Sequence, residues 1–132
     1  MTRFVKTLLV VALPCALLWA CASSPAPLPD GLPAAEIFQR AQDASEHGDY
    51  TTAIAYYGEV DNRYPDDIEH AVWAQYEIAF LYHKSGKDDV ALKLINELLD
   101  RYQKEGSALP PAPRVLAQDL KTRLEAMLPK TK

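Results

Sequence analysis

From Ala34 onward, apolar positions return every three or four residues, and that pattern itself returns 38 residues later. The shift places Phe38 on Tyr76, Ala41 on Ala79, Gly48 on Gly86, Ala53 on Ala91, Tyr57 on Ile95 and Val60 on Leu98, and the pair Arg63-Tyr64 on Arg101-Tyr102. A period near 3.6 predicts helices, and a glycine in the middle of each copy predicts a break, because the residue that closes a helix often takes the left-handed conformation. Each copy therefore reads as two helices. The first runs from about Ala34 to His47. The second runs from Asp49, its cap, to Arg63, and buries Ala53, Tyr57, Val60 and Tyr64. In the second copy Asp66 and Glu69 have the spacing of a capping box for a helix that reaches Ser85. Asp88 and Asp89 then open a fourth helix, where the helix dipole favours acids, and Ala91, Ile95, Leu98 and Tyr102 form its buried face.

A period of this length marks a stacked array, in which each unit leaves an apolar side for its neighbour. A third copy begins near Pro113 and departs from the other two. Leu124 stands where a turn glycine is due, so the helix is expected to continue to Leu128. Leu116, Leu120, Leu124 and Met127 give it one apolar face, with Asp119, Lys121 and Arg123 on the polar side. Such a helix fits the end of an array, whose last unit must be covered. The expected fold class is all-α, a short repeat solenoid of two helix pairs plus a C-terminal capping helix over residues 34–128, with 129–132 as a tail.

The first residues follow another pattern. Arg3 and Lys6 form a basic start, and Thr7 to Trp19 run almost wholly apolar, the length of a signal-peptide core and short for a membrane span. Leu18-Trp19-Ala20-Cys21 resembles the lipobox of bacterial lipoproteins. That resemblance implies removal of residues 1–20 and acylation of Cys21, and several acyl chains hold a protein firmly to a bilayer. Cys15, the only other cysteine, falls in the part to be removed, so no disulfide is expected within the mature chain. Ala22, rather than an aspartate, follows Cys21, which by analogy with such lipoproteins implies the outer membrane, facing the periplasm. Residues 21–33 carry Cys21 and four prolines and read as a flexible tether.

The whole chain has a formal charge of −4. Losing the basic pair Arg3 and Lys6 makes that −6, with 18 acidic residues remaining. Nucleic acid is not expected as a partner, since such binding needs a basic face that displaces counterions. His47, His70 and His83 lie in separate helix regions without a second ligand at helix-face spacing, so no metal is expected. Asp66, Asp67 and Glu69 lack the glycine and spacing of a calcium loop and read as capping residues. There is no phosphate-binding glycine loop and no serine elbow, and the lipid would occupy Cys21. No cofactor and no enzymatic activity are expected.

The small residues Ala41 and Ala79, the glycines Gly48 and Gly86, Tyr50, the alanines Ala53 and Ala91 and the proline Pro65 together resemble the tetratricopeptide repeat over about Ala34 to Leu128. Arg63-Tyr64-Pro65-Asp66, followed by four extra residues, is similar to the tetratricopeptide lipoproteins of bacterial envelopes, including the lipoprotein of the barrel-assembly machine. That lipoprotein has five repeats, and two and a half are read here. The resemblance implies the architecture, the compartment and a scaffold role, with other envelope proteins or extended segments as partners. It carries over no functional residue beyond Cys21.

In the repeat register Trp73, Tyr76, Phe80 and His83 share one face of the third helix and occupy positions that line the concave groove of an array. Their equivalents in the first copy, Ala35, Phe38, Gln42 and Ser45, are smaller and leave room for a guest. Two placements are open to this stripe: a partner-binding groove, or packing against the first helix and the capping helix. Two classes of function follow. The first is a membrane-anchored protein-interaction scaffold of the cell envelope. The second is a structural lipoprotein that self-associates through its repeat faces.

Overall fold

A computed structural model of the chain describes residues 24–127. It contains five α-helices: α1 (Ala34–Glu46), α2 (Tyr50–Arg63), α3 (Ile68–Lys84), α4 (Asp88–Glu105) and α5 (Pro111–Met127), with a short 3-10 turn, Gly106–Ala108, before the last. No strand occurs among the described residues. Consecutive helices pack as antiparallel neighbours, α1 with α2 and α3 with α4, and α5 closes the array against α4 and α3.

The internal repeat is visible at the level of single hydrogen bonds. At the end of α1 the Gly48 N–H donates to the Ser45 carbonyl and the Asp49 N–H to the Ala44 carbonyl. At the end of α3 the Gly86 N–H donates to His83 and the Lys87 N–H to Tyr82, which is the same double closure shifted by 38. This closure needs a left-handed residue at its centre, and Gly48 and Gly86 hold φ of +78° and +74°. α2 and α3 are opened by side-chain caps, whereas α4 begins after Lys87 with none. Asp49 accepts from the Thr52 N–H at 3.0 Å, and Asp67, rather than the expected Asp66, accepts from the His70 N–H at 3.2 Å.

Two apolar clusters form the core, and α3 joins them. Ala41, Ala53, Tyr57 and Val60 of the first pair pack with Ala74 and Leu81 of α3. Val72, Tyr76 and Ala79, on the other side of α3, pack with Ala91, Ile95, Leu98 and Tyr102 of α4 and with Ala117, Leu120 and Leu124 of α5. The alanines at the helix crossings, Ala41, Ala53, Ala79 and Ala91, are all fully buried, as the repeat register requires. The capping face departs from the expectation by a rotation. Pro113, Ala117, Leu120 and Leu124 are its buried residues, while Leu116 and Met127 are 38% and 55% exposed. Leu128, placed at the end of this helix from the sequence, lies outside the described residues.

The segment before α1 also departs from the expectation, which was a free tether through Pro33. Leu28 is buried in the first cluster. The Tyr56 hydroxyl donates to the Ala26 carbonyl at 3.0 Å, Arg63 donates to the carbonyls of Pro29 at 2.9 Å and Leu28 at 3.4 Å, and the Tyr64 hydroxyl donates to Leu32. The physical reason lies in the prolines. A proline-rich segment makes no internal hydrogen bonds and leaves its carbonyls free, and donors on α2 and at its C-cap, Tyr64, take them up.

Candidate functional site

The concave side of the array lies between α1 and α3. Here a hollow of about 260 Å³ is lined by Phe38, Gln42, Glu69, His70, Trp73 and Glu77. Beside it a second hollow of about 170 Å³ is lined by Gln42, Ser45, Glu46, Tyr57 and Glu77. Gln42 and Glu77 belong to both, so the two form one groove with Glu77 at the middle. The first hollow has aromatic walls. Phe38 sits edge-on to Tyr57 at 5.0 Å and to His70 at 5.7 Å, and Trp73 sits edge-on to Tyr76 at 6.3 Å. His70 is held in place by donating Nδ1–H to Asp67 at 2.8 Å.

The structure divides the aromatic stripe. Trp73 lines the open groove. Tyr76 is only 7% exposed and belongs to the core cluster that α5 completes, so its expected place on an open surface is corrected. The reason is the packing of α5 across this face of α3, where Asp119 and Arg123 of α5 both act on the Tyr76 hydroxyl. Burial, with Glu77 adding to it, pushes the Tyr76 hydroxyl above its ordinary pKa. Phe80 stacks on Tyr76 at 6.1 Å and is half-buried, with the Lys84 ammonium 5.9 Å from its ring. His83 turns away from the groove and donates Nδ1–H to Asp88 at 2.7 Å, bracing the turn into α4.

Glu77, Glu69, His70 and Tyr57 complete the groove, and the sequence reading did not select them for it. Glu77 had a signal: it lies four residues after Trp73, hence on the same helix face. Burial raises the pKa of its carboxyl, and it makes no ion pair or side-chain hydrogen bond among the described residues. Burial also raises the pKa of Tyr57, followed by the nearby carboxylates of Glu77 and Glu46. Tyr57 as a whole residue is 1% exposed, and it lines the smaller hollow.

A larger hollow of about 400 Å³ lies on the opposite side, between α2, α3 and α4. Three of its polar groups are linked, Arg101 donating to Gln75 Oε1 at 3.3 Å and Gln75 to Asp61 at 3.3 Å, while Glu97 also lines it. This chain of bonds ties the first repeat to the second.

With paired helices, repeated closures and a concave groove in place, the class is a helical repeat protein of the protein-interaction type. The family profile of the tetratricopeptide repeat matches residues 25–117, and the chain belongs to that family. The match begins within the docked proline-rich segment, in keeping with its packing on α2. Among curated proteins, the chain is 34% identical over 98 residues to an uncharacterized protein of Treponema pallidum (strain Nichols), covering 72% of this chain and 39% of that one. It is 36% identical over 78 residues to the outer membrane protein assembly factor BamD of Vibrio cholerae serotype O1, covering 59% of this chain and 31% of that one. The chain thus spans well under half the length of these relatives. No solved structure matches it significantly.

Proposed function

We propose that this chain is a lipid-anchored scaffold of the bacterial cell envelope, which holds other envelope proteins through the groove between α1 and α3 and serves in outer-membrane protein assembly or transport. The observation that carries the reading is the groove itself: an open, partly aromatic concave surface on a tetratricopeptide array. The similarity to an outer membrane protein assembly factor supports the compartment and the kind of work. Gln42 is exposed, lines both hollows and takes no part in the core. Gln42→Trp should therefore fill the groove, leave the melting temperature within a few degrees of wild type, and abolish recovery of partners from cross-linked envelopes. Unchanged recovery would refute the groove as the working site.

The anchor in this proposal is Cys21, which lies outside the described residues. No helix among the described residues is long and apolar enough to cross a membrane. The lipobox spacing supports acylation there, with the domain facing the periplasm from the outer membrane. Because the chain is docked on α2 from Ala26 onward, the span from Cys21 to the docked segment can reach at most about 18 Å. The repeat domain would then sit close to the bilayer. Cys21→Ser is expected to move the protein from the membrane pellet to the soluble fraction with unchanged helical content. A variant that still sediments as wild type does would remove the anchor from the account.

A second reading, self-association, draws on the exposure of Leu116, Val115 and Met127 on α5, at 38%, 63% and 55%. A defined oligomer in solution that buries these residues would favour it over the scaffold.

A further inference from the structure

The groove is selective in its chemistry. Three carboxylates, Glu46, Glu69 and Glu77, line its two hollows, and no lysine or arginine does. The cations on the surrounding helices are engaged elsewhere: Arg40 with Glu36 at 2.8 Å, Arg123 with Asp119 at 2.5 Å, and Lys84 over the rings of Tyr50 and Phe80. Glu77 is partly buried without a partner, a costly state for a carboxylate that a docked cation would relieve. Tyr57, 1% exposed as a whole residue, lines the same hollow, and its hydroxyl takes part in none of the side-chain hydrogen bonds found among the described residues. Next to these acceptors the aromatic residues Phe38 and Trp73 line the first hollow.

A planar cation with several donors suits this set. Its N–H groups can reach Glu77 and Tyr57 together, and its flat face can lie on an aromatic ring, which a compact ammonium does less well. We infer that the groove between α1 and α3 binds an arginine side chain carried on an extended segment of a partner protein, with Glu77 as its principal acceptor, Tyr57 and Glu46 beside it and Trp73 and Phe38 as its walls. The inference rests on the groove reading proposed above and gives it a partner chemistry. Arginine is also among the residues that concentrate binding energy at interfaces.

The test is a titration of the full chain in detergent micelles, followed by NMR at the Trp73 indole and the Glu77 amide, with short extended peptides identical except at one central position. Arginine, lysine and citrulline occupy that position in turn, citrulline keeping the shape without the charge. The arginine peptide is expected to bind tightest, and Glu77→Gln should weaken it by about tenfold or more. Tyr57→Phe, which preserves the core, should weaken it less. Glu125→Gln, on the far side of α5 and paired with Lys121, should leave it unchanged and so controls for overall charge. Lysine or citrulline peptides that bind as tightly, equal effects of Glu77→Gln and Glu125→Gln, or no saturable binding would each overturn the inference. If Gln42→Trp still abolishes partner recovery in such a case, the groove reading survives and only the arginine is lost. If Gln42→Trp leaves recovery intact, both fall.

Discussion

Tyr76→Ala is expected to cost about 3–5 kcal/mol of stability, the range for removing a buried aromatic ring, and for a domain of this size to lower the melting temperature by roughly 10 °C or more. Tyr76 lies in the cluster where α3, α4 and α5 pack together. Its ring stacks on Phe80, contacts Trp73 edge-on, and is enclosed with Ala117, Leu120 and Leu124. Tyr76→Phe keeps the ring and should be nearly neutral, so the pair of variants separates lost packing from a lost hydroxyl. Thermal unfolding followed by circular dichroism measures both. A Tyr76→Ala variant that melts like wild type would mean that α5 does not cover this face and that the residue belongs to an open groove after all.

The second large effect is expected at Leu120. Its side chain is fully buried on the inner face of the capping helix, and Leu120→Ala should cost about 2–5 kcal/mol through lost burial and the cavity left behind. Leu116, one turn earlier and 38% exposed, should respond to the same substitution by no more than about 0.5 kcal/mol. The contrast reads the orientation of α5 directly. Chemical denaturation of the two variants suffices, and equal losses would show that the helix is rotated toward the face read from the sequence.

Most of the fold was legible because the repeat fixes it twice. Gly48 and Gly86 mark the same closure, and Ala53 and Ala91 the same crossing, so an error in one copy would have been exposed by the other. The misplacements fall where no second copy exists. Leu116 was assigned to the buried face of α5 by periodicity alone, and a helix whose sequence offers two adjacent apolar positions, Leu116 and Ala117, does not reveal which one turns inward. The docked segment before α1 was equally hidden, since its anchoring carbonyls belong to the backbone and only their donors, Tyr56, Arg63 and Tyr64, have a sequence signature.

The site was half legible. Helix-face spacing put Trp73 in the groove, and the same spacing extended by four residues reaches Glu77, but a lone glutamate on a helix reads as a solvated charge until its burial is known. Tyr76 and Phe80 share the stripe with Trp73 in one dimension. In three dimensions α5 packs over Tyr76 while Trp73 still lines the groove, and the contact between helices three and five has no signature in the spacing of α3 itself. Tyr57 reads as a core residue from its place in α2, which its burial confirms, while it also lines a hollow between a different pair of helices.

The central claim is that partners dock between α1 and α3, and a photo-crosslinking residue placed in the groove tests it most directly. Introduced at Gln42 in the full chain and activated in living cells, it is expected to give discrete adducts with envelope proteins. At Lys93, whose side chain is 75% exposed on α4 away from the groove, the same residue should give none of those adducts. Adducts at Lys93 that match those at Gln42, or no adduct at Gln42 at all, would contradict the account.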